Sequence, residues 1–289
     1  HNAELRDSQR NFFVHVTEIL MSVGGHAFRV LSTTPTDISL HLDFHRDQPR
    51  HFGAPTARAR PLEVEGFVGD TRAGGSCNCE VLTLVPHCNG THTESIGHIA
   101  AEPRSVASLA TDALIPALLV SVPSCPREDS TEGAGLFSLP DDRLITAAAL
   151  QEVAESAEHG PQPALVIRTL PNDEGKRFRH YDSGPTPPYL SPEAADLLVS
   201  WNVRHLLIDL PSVDRTHDEG RLHAHRRFWG MAPSGTGAPG SLRPDATITE
   251  MVFVPNQLED GIYALSLQIA PFVTDAAPSR PLLFPLEAA

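Results

Sequence analysis

The sequence predicts an α/β fold: a single domain whose mixed β-sheet is flanked by helices. In the second half of the chain, short apolar runs typical of buried strands alternate with runs rich in good helix formers. The predicted strands cover residues 114–122, 165–169 and 205–210, and the helices between them cover residues 146–157 and 192–201. Because strands joined through helices usually pair in parallel, we expect part of the sheet to be parallel.

The N-terminal part of the chain is predicted to supply mostly strands. The segment before residue 26 has a mixed, weakly helical pattern. Residues 81–85 are apolar and favour a buried strand, and residues 105–111 favour a short helix. Apolar residues that partly alternate, between turn-forming residues, predict four strands: residues 26–32, 37–44, 62–68 and 80–85.

The two helices of the second half are justified by composition and by start signals. Residues 146–157 are rich in Ala, Leu and Glu, which are good helix formers. Ser191-Pro192-Glu193 supplies an N-cap, a proline at the first helical position and an early carboxylate. Between these helices, residues 171–189 contain Gly, Pro and charges and predict a loop that serves as a lid or an inter-subunit contact.

The C-terminal part is predicted to close the sheet with two strands, residues 249–254 and 263–269. Before them, residues 230–245 are dominated by Gly, Pro and Ser. We interpret that segment as an insertion in one domain and not as a linker between domains. The domain is therefore expected to span residues 1–289.

The composition excludes several classes of function. The formal net charge is −14, which argues against nucleic acids and anionic membranes as partners, because no basic surface is available for phosphates. No apolar run approaches the ~20 residues that span a bilayer. Four cysteines in 289 residues do not suggest a disulfide framework, so we expect a reducing, cytoplasmic compartment.

Residues 87–98, His-Cys-Asn-Gly-Thr-His-Thr-Glu-Ser-Ile-Gly-His, combine three His, one Cys and one Glu. Imidazole, thiolate and carboxylate groups are good ligands of divalent metals. His92 and Glu94 are two residues apart and would project to one side of an extended chain. His98 follows Glu94 by four residues, so a bend can bring the two together. The alternative is a surface turn in a chain that holds 15 His.

The same run resembles the signature of the metal-dependent cyclase family, which includes bacterial kynurenine formamidases and isatin hydrolases. That signature is His-x-Gly-Thr-His-x-Asp-x-Pro-x-His. Gly90-Thr91-His92 matches it, and His98 falls at its last His. The resemblance implies the family's swivelling β/β/α fold.

Three positions depart from this signature. Cys88 stands at its first His, Glu94 at its Asp and Ile96 at its Pro. A thiolate can replace imidazole on zinc, and Glu is a longer carboxylate, so a metal site stays feasible. His87 is an alternative to Cys88 as the ligand at the first position.

Two later segments extend the resemblance. Residues 209–214, Asp-Leu-Pro-Ser-Val-Asp, are similar to a family turn in which Asp and Ser order the backbone. His225 then takes the position of a metal ligand in the family's Ala-His motif, and Glu250 takes that of a strand glutamate. Taken singly, His225 and Glu250 could equally be solvated residues. Their separation exceeds that of the family, and the insertion at 230–245 accounts for the excess.

The resemblance implies a metal-dependent amidohydrolase. Cys88, His92 and Glu94 would hold one divalent ion, most often Zn and in some members Mn. Glu94 would bridge to a second ion held by His225 and Glu250. His98 would act as general base or proton shuttle, because an imidazole can both accept and return a proton near neutral pH.

The small-molecule substrate that the family suggests is N-formylkynurenine, an aryl formamide, which would give kynurenine and formate. A cyclic amide or lactone of the isatin type is the sister option. Phe52, in the polar loop of residues 44–55, would contact a substrate ring or else pack locally. Family members associate, so a homodimer or homotetramer is expected.

Two rival interpretations stay open. The chain could keep the fold without the chemistry and act as a ligand-binding protein, since a soft Cys among hard carboxylates is an unusual ligand set. Alternatively, Cys88 could be a nucleophile paired with His92 or His98. The hypothesis of a Cys88 nucleophile leaves His225 and Glu250 without a role.

Overall fold

The structure is a computed structural model that describes residues 18–109, 112–232 and 242–289. Most of the regular secondary structure in the described residues is β-strand, and three short α-helices accompany it. The helices are α1 (Ala147–Glu155), α2 (Pro192–Ser200) and α3 (His223–Phe228). The strands are β1 (Leu20–Val23), β2 (His26–Val30), β3 (Thr36–Asp37), β4 (Arg58–Pro61), β5 (Glu63–Val64), β6 (Phe67–Val68), β7 (Glu80–Thr83), β8 (His92–Glu94), β9 (Ile115–Pro123), β10 (Cys125–Pro126), β11 (Arg143–Ile145), β12 (Ala164–Leu170), β13 (Tyr189–Leu190), β14 (His205–Ile208), β15 (Thr247–Glu250), β16 (Gly261–Ile269) and β17 (Ala276–Ala288).

The main sheet is mixed and closes on itself. Its neighbouring strands run β17-β16-β9-β12-β14-β15-β8, and β8 pairs again with the start of β17. The pairs β9–β12, β12–β14 and β14–β15 are parallel, whereas β15–β8, β8–β17, β17–β16 and β16–β9 are antiparallel. Strands β2 and β3 also pair with β17, and β1 pairs with β2. The predicted α/β fold with a mixed, partly parallel sheet is therefore confirmed.

Alternation along the central strands divides the buried apolar residues into two clusters. In β9, Leu118 and Val120 face a cluster that includes Leu150 of α1 and Leu198 of α2. The residue between them, Leu119, belongs to a second cluster on the other face. Because both faces of these strands are covered, the strands are apolar almost throughout, which made them recognisable in the sequence.

The two helices predicted in the second half of the chain are confirmed, and each begins at a side-chain cap. Thr146 Oγ1 accepts a hydrogen bond from the Ala149 amide at the start of α1. Ser191 Oγ accepts from the Ala194 amide at the start of α2, and Pro192 is the first helical residue. Each cap satisfies an amide that the helix itself leaves unpaired.

Several N-terminal predictions are wrong. Residues 81–85 do not form a buried strand: β7 ends at Thr83 and pairs with β4, and Leu82 is 50% exposed. Residues 62–68 form two strands, β5 and β6, instead of one, because Gly66 turns the chain with φ of 74°. The described part of the weakly helical segment holds β1, and its residues 1–17 lie outside the described residues.

Other boundaries shift. The predicted strand at 37–44 is limited to β3. The described part of the helix predicted at 105–111 is a 3₁₀ turn at Val106–Ser108, and positions 110 and 111 lie outside the described residues. The strand predicted at 249–254 ends at Glu250 and begins earlier. The loop predicted at 171–189 contains a 3₁₀ helix, Glu174–Phe178. Of the predicted insertion at 230–245, positions 233–241 lie outside the described residues.

The 13-residue strand β17 was not predicted at all. Its prolines at positions 278, 281 and 285 obscure the strand pattern, because proline lacks an amide donor for the ladder. In the part of the chain that the structure describes, no helix has the length and apolar character to cross a bilayer.

Candidate metal centre

The centre of the candidate site is strand β8. His92 and Glu94 lie on the same side of this strand, as expected for positions two apart, and both are fully buried. Thr93 points to the opposite side, where its hydroxyl hydrogen-bonds to Thr249 and Ser279. The strand is thus fixed from behind by hydroxyl groups while it presents an imidazole and a carboxylate forward.

Strand β15 brings Glu250 to His92. The two residues are direct partners in the antiparallel pairing of β15 with β8, and Glu250 Oε2 lies 3.4 Å from His92 Nε2. The other oxygen, Glu250 Oε1, accepts a hydrogen bond of 2.8 Å from the Val213 amide. Directly after Glu250 the backbone turns through Met251, whose φ of 56° is uncommon for a residue with a side chain.

Helix α3 supplies His225, and Asp214 sets its position. The Asp214 carboxylate accepts hydrogen bonds from the amides of Ala224 and His225 in the first turn of α3. Its Oδ2 also lies 2.6 Å from His225 Nδ1. With Nδ1 held in this way, His225 Nε2 reaches Glu94 Oε1 at 2.8 Å and lies 3.7 Å from Glu250 Oε1.

A third group, His87, His98 and Asp275, lies on the more open side of Glu94. His87 Nε2 lies 2.8 Å from Asp275 Oδ2, and His87 Nδ1 lies 3.2 Å from Glu94 Oε2. His98 Nδ1 lies 3.3 Å from the same oxygen of Asp275 and 3.9 Å from Glu94 Oε2. Glu94 therefore stands between two sets of imidazoles.

The structure separates Cys88 from these ligand groups. Three groups of His, Asp and Glu atoms within 4.8 Å of one another are found in the described residues, and Cys88 is in none of them. The groups are His87/His92/Glu94, Glu94/His98/His225 and His87/His98/Asp275. Cys88 is buried beside the site, where burial first and then Asp182 and Glu250 raise the pKa of its thiol to about 11.

Two buried atoms of the site have no hydrogen-bond partner among the described residues: His92 Nε2 and Glu94 Oε2. His92 Nδ1 donates to the Gly90 carbonyl at 2.9 Å, which leaves a lone pair on Nε2. Buried polar atoms are rarely left unpaired, because the lost hydration costs about 1–3 kcal/mol each. An imidazole lone pair and a carboxylate oxygen that face one cluster fit a divalent cation.

Charges in the site are strongly coupled. Burial disfavours the ionised forms of both Glu94 and His225, but their mutual attraction outweighs it. The pKa of Glu94 is held well below its usual range, and the pKa of His225 is raised well above its own. The proton on His225 thus balances the buried carboxylate, which is the role that a bound cation would take over while releasing that proton.

The two imidazoles near Asp275 differ from each other. Burial lowers the pKa of His98, and the attraction of Glu94 does not fully offset this. For His87, burial is outweighed by Glu94 and Asp275, which raise its pKa to about 9. His98 is consequently the neutral imidazole of the pair at neutral pH.

A cleft of about 800 Å³ opens beside the cluster, and one of its walls is formed by His87, His98, His225 and Glu250. Its other walls are mainly apolar and include Phe52, Val85, Phe137 and Leu222. Arg215 also lines the cleft, but its guanidinium makes two hydrogen bonds to the buried Asp142 carboxylate. The cleft thus offers an apolar surface beside the polar cluster.

The turn at residues 209–214 has a broader role than the sequence predicts. Ser212 Oγ accepts a hydrogen bond from the Asp214 amide, as expected for an ordered turn. Asp209, however, bonds to Thr169 of the neighbouring strand and to the buried amine of Lys176 at 2.7 Å. Asp214 orients His225, a role that the sequence pattern alone does not show.

Two further residues of the site were missed. Asp275 is far along the chain from the signature and matches no motif, so no sequence signal identified it. His51 lines the cleft, and its buried Nδ1 also has no hydrogen-bond partner in the described parts of the chain. The one sequence signal for His51 was its position directly before Phe52, which was considered as a substrate contact.

Comparison with known families gives a match over most of the chain. The family model named Cyclase, described as "Putative cyclase", matches residues 32–215. No protein of curated function matches this sequence.

Solved structures of similar fold cover nearly the whole chain. Isatin hydrolase A from Labrenzia aggregata, solved with benzyl benzoate, has a TM-score of 0.59 at 18% identity over 88% of this chain and 94% of its own. Isatin hydrolase A from Ralstonia solanacearum gives 0.56 at 15% identity over 87% and 91%. A predicted metal-dependent hydrolase from Bacillus stearothermophilus gives 0.54 at 15% identity over 87% and 98%. At these identities the likeness concerns the fold.

Proposed function

Because this chain belongs to the cyclase family, we propose that it is a metal-dependent hydrolase that cleaves an amide C–N bond. One observation carries the proposal. The buried His92 Nε2 and Glu94 Oε2 have no partner among the described residues, and they face a cluster of further His and carboxylate groups. A buried cluster of this kind is costly unless a cation completes it.

The residues that would hold the metal are His92, Glu94, His225 and Glu250, with Glu94 between them. At the first position of the signature, His87 is better placed than Cys88, because His87 Nδ1 lies 3.2 Å from Glu94 Oε2. Two ligand atoms on a tetrahedral zinc lie about 3.3 Å apart, given metal–ligand distances near 2.0 Å. Imidazole and carboxylate donors suit Zn, with Mn as the second choice. A bound cation would act as a Lewis acid toward water and a carbonyl group.

His98 is the proposed general base. Its imidazole lines the cleft, and its lowered pKa keeps it neutral and able to accept a proton at neutral pH. In the hydrolysis, the oxygen of water forms a bond to the carbonyl carbon and the C–N bond breaks. The proton that His98 takes from water is returned to the departing nitrogen, so the imidazole ends as it began.

The apolar cleft wall favours an aromatic substrate. Phe52 and Phe137 are both more than half exposed at the cleft, where an aromatic ring can stack on them. We therefore propose an arylformamidase-like activity, with N-formylkynurenine giving kynurenine and formate in tryptophan catabolism. The proposal includes a cytoplasmic enzyme that assembles as a homodimer or homotetramer.

A second candidate is hydrolysis of a cyclic amide or lactone of the isatin type. Arg215 favours this option, because Asp142 already neutralises its guanidinium. The amino-acid carboxylate of N-formylkynurenine would have to compete for that guanidinium, whereas a compact neutral ring would not. Similarity of fold to the isatin hydrolases is in accord with this candidate.

The experiment measures metal content and turnover on the same protein. Purified chain is analysed for Zn and Mn, treated with a chelator, and reloaded, and each form is assayed with N-formylkynurenine, a simple aryl formamide and isatin. We expect bound metal, loss of turnover on chelation and recovery on reloading. Near-zero metal with no activity after reloading would instead support a non-catalytic, ligand-binding protein.

A variant tests the assignment of the base. His98→Gln should keep the metal but lose about 10²–10⁴-fold in kcat, the range for removal of a general base. The matched control is His41→Gln, because His41 is largely exposed. If His98→Gln retained full activity, the base would have to be another residue.

A further inference from the structure

Asp275 belongs to the cluster, but it lies outside the matched family region, residues 32–215, and in none of the family motifs found in the sequence. It immediately precedes β17, whose first residue, Ala276, pairs with Glu94 of β8. The Asp275 carbonyl also accepts a hydrogen bond of 2.9 Å from the Ser95 amide. Because the backbone is held both at Ala276 and at the Asp275 carbonyl, the Asp275 carboxylate is fixed next to the site.

One oxygen of Asp275 contacts two imidazoles. Its Oδ2 lies 2.8 Å from His87 Nε2 and 3.3 Å from His98 Nδ1, and the two ring centroids are 4.3 Å apart. A carboxylate oxygen can only accept, so both ring nitrogens must carry their hydrogen toward it. This contact therefore selects the Nε2–H form of His87 and the Nδ1–H form of His98.

The opposite ring nitrogens face the site. His87 Nδ1 lies 3.2 Å from Glu94 Oε2, and a cation bound there would replace the hydrogen that Nδ1 holds in the metal-free chain and accept its lone pair. His98 Nε2 is left without the proton, as a general base requires. Metal-bound histidines commonly donate their second ring N–H to a carboxylate, which fixes the ring and its tautomer.

We propose that Asp275 is the positioning residue of this site, holding His87 as a metal ligand through Nδ1 and His98 as a proton acceptor through Nε2. The inference rests on the proposed function, because it assigns Asp275 to that metal centre and that base. It differs from a direct ligand role for Asp275, although the carboxylate lies within 4.8 Å of both imidazole atoms. A positioning role and a ligand role predict different effects of Asp275→Asn, whose side chain is neutral and has nearly the same shape.

The first test is the tautomeric state of the two histidines, read from long-range ¹H–¹⁵N spectra of the zinc-loaded full chain. We expect the Nε2–H form for His87 and the Nδ1–H form for His98, and in Asp275→Ala loss of the selection at His98, the ring that zinc does not hold. The opposite forms in the wild-type chain, or an unchanged His98 tautomer after Asp275→Ala, would overturn the inference. A merely structural role would leave the tautomers unchanged.

The second test is zinc binding, measured by competition with a chelator and by the number of ions per chain. Asp275→Ala should weaken zinc binding about 10–100-fold, the range for loss of a partner behind a metal ligand. Asp275→Asn keeps an oxygen that accepts both hydrogen bonds and should restore most of the affinity. Neither variant should change the number of ions, and Asp245→Ala, at an exposed carboxylate, should match the wild type.

The outcomes separate this inference from the proposed function. A lower number of ions in Asp275→Asn would make Asp275 a ligand and overturn the positioning role. Unchanged zinc affinity in a folded Asp275→Ala would overturn it as well, while an active, metal-loaded wild type would leave the proposed function in place. A wild-type chain without metal or turnover would overturn both.

Discussion

Glu250 stands directly opposite His92 across an antiparallel strand pair, with Glu250 Oε2 3.4 Å from His92 Nε2. The relationship follows from backbone register, since residues that are partners in a ladder have side chains on the same face of the sheet. The carboxylate and the imidazole are thus fixed before any metal arrives. Binding should therefore cost little reorganisation at this edge of the site.

Replacement of His92 should remove the stabilising effect of metal. In the wild type, zinc at 100 times its Kd should raise the free energy of unfolding by about 2.7 kcal/mol. His92→Gln loses the Nε2 lone pair that has no protein partner, so added zinc should give little or no increase in Tm. The measurement is thermal unfolding with and without zinc, with the exposed His41→Gln as control. An equal zinc-induced shift in His92→Gln would show that the metal binds elsewhere.

Replacement of Cys88 should leave metal binding and turnover unchanged. With its pKa raised to about 11, the Cys88 thiol stays protonated at neutral pH, and a protonated thiol is a poor ligand and a poor nucleophile. Cys88→Ser should keep the metal content and lose about 1 kcal/mol of stability, an ordinary cost for a buried substitution. Elemental analysis and turnover assays decide the matter. Loss of one ion would restore Cys88 as the ligand that the signature implies.

How much of the site could be predicted from the sequence depends on whether each residue is placed by local or by long-range interactions. His92 and Glu94 could be placed because the period of a strand is local, and both lie on one side of β8 as expected. Cys88 was assigned as a ligand by alignment with a signature. The direction of its side chain, however, depends on the conformation of the loop before β8. His87 was kept as an alternative, and the structure brings it to Glu94.

The strands show the same limit. The central strands β9, β12 and β14 are continuous apolar runs, since both of their faces are buried, and this pattern is visible in the sequence. Residues 81–85 are also largely apolar, which predicted a buried strand. Strand β7, which covers part of this run, pairs only with β4 in the described chain and stays largely exposed. Asp275 depends on the long-range pairing of β17 with β8, and prolines hide that strand from sequence patterns.

Removal of the buried amine of Lys176 should destabilise the fold strongly. Lys176 donates hydrogen bonds to Asp209 Oδ2 at 2.7 Å and to the carbonyl and hydroxyl oxygens of Thr169. Both charged groups are buried, and removing one partner of a buried pair typically costs about 3–5 kcal/mol, because the other is left uncompensated. We expect Lys176→Met to lower the free energy of unfolding by that amount in urea titrations.

A second substitution checks the cause of that loss. Asp209→Asn in the Lys176→Met background removes the uncompensated carboxylate and should recover part of the lost stability. If the double variant were as unstable as the sum of the two single variants, the two side chains would not be coupled.

His205 should make the stability of the fold depend on pH. It is 1% exposed; burial, followed by the charge of Arg204, lowers its pKa from 6.5 to about 4. Its Nε2 accepts a hydrogen bond from Arg204 Nε, and its Nδ1 donates to Thr247 Oγ1, so the folded state holds the neutral ring. Between these two pKa values the unfolded chain binds a proton that the folded chain does not.

The stability contributed by neutral His205 is therefore fully present above pH 6.5 and is lost as the pH falls toward 4. The loss should reach about 2 kcal/mol at pH 5, at 1.36 kcal/mol for each pH unit below 6.5. Urea unfolding of His205→Gln should show a smaller decrease between pH 8 and pH 5, because glutamine does not titrate. Arg204→Gln, which removes the neighbouring positive charge, should give an intermediate decrease. Parallel pH profiles for the wild type and His205→Gln would mean that the acid sensitivity arises from other groups.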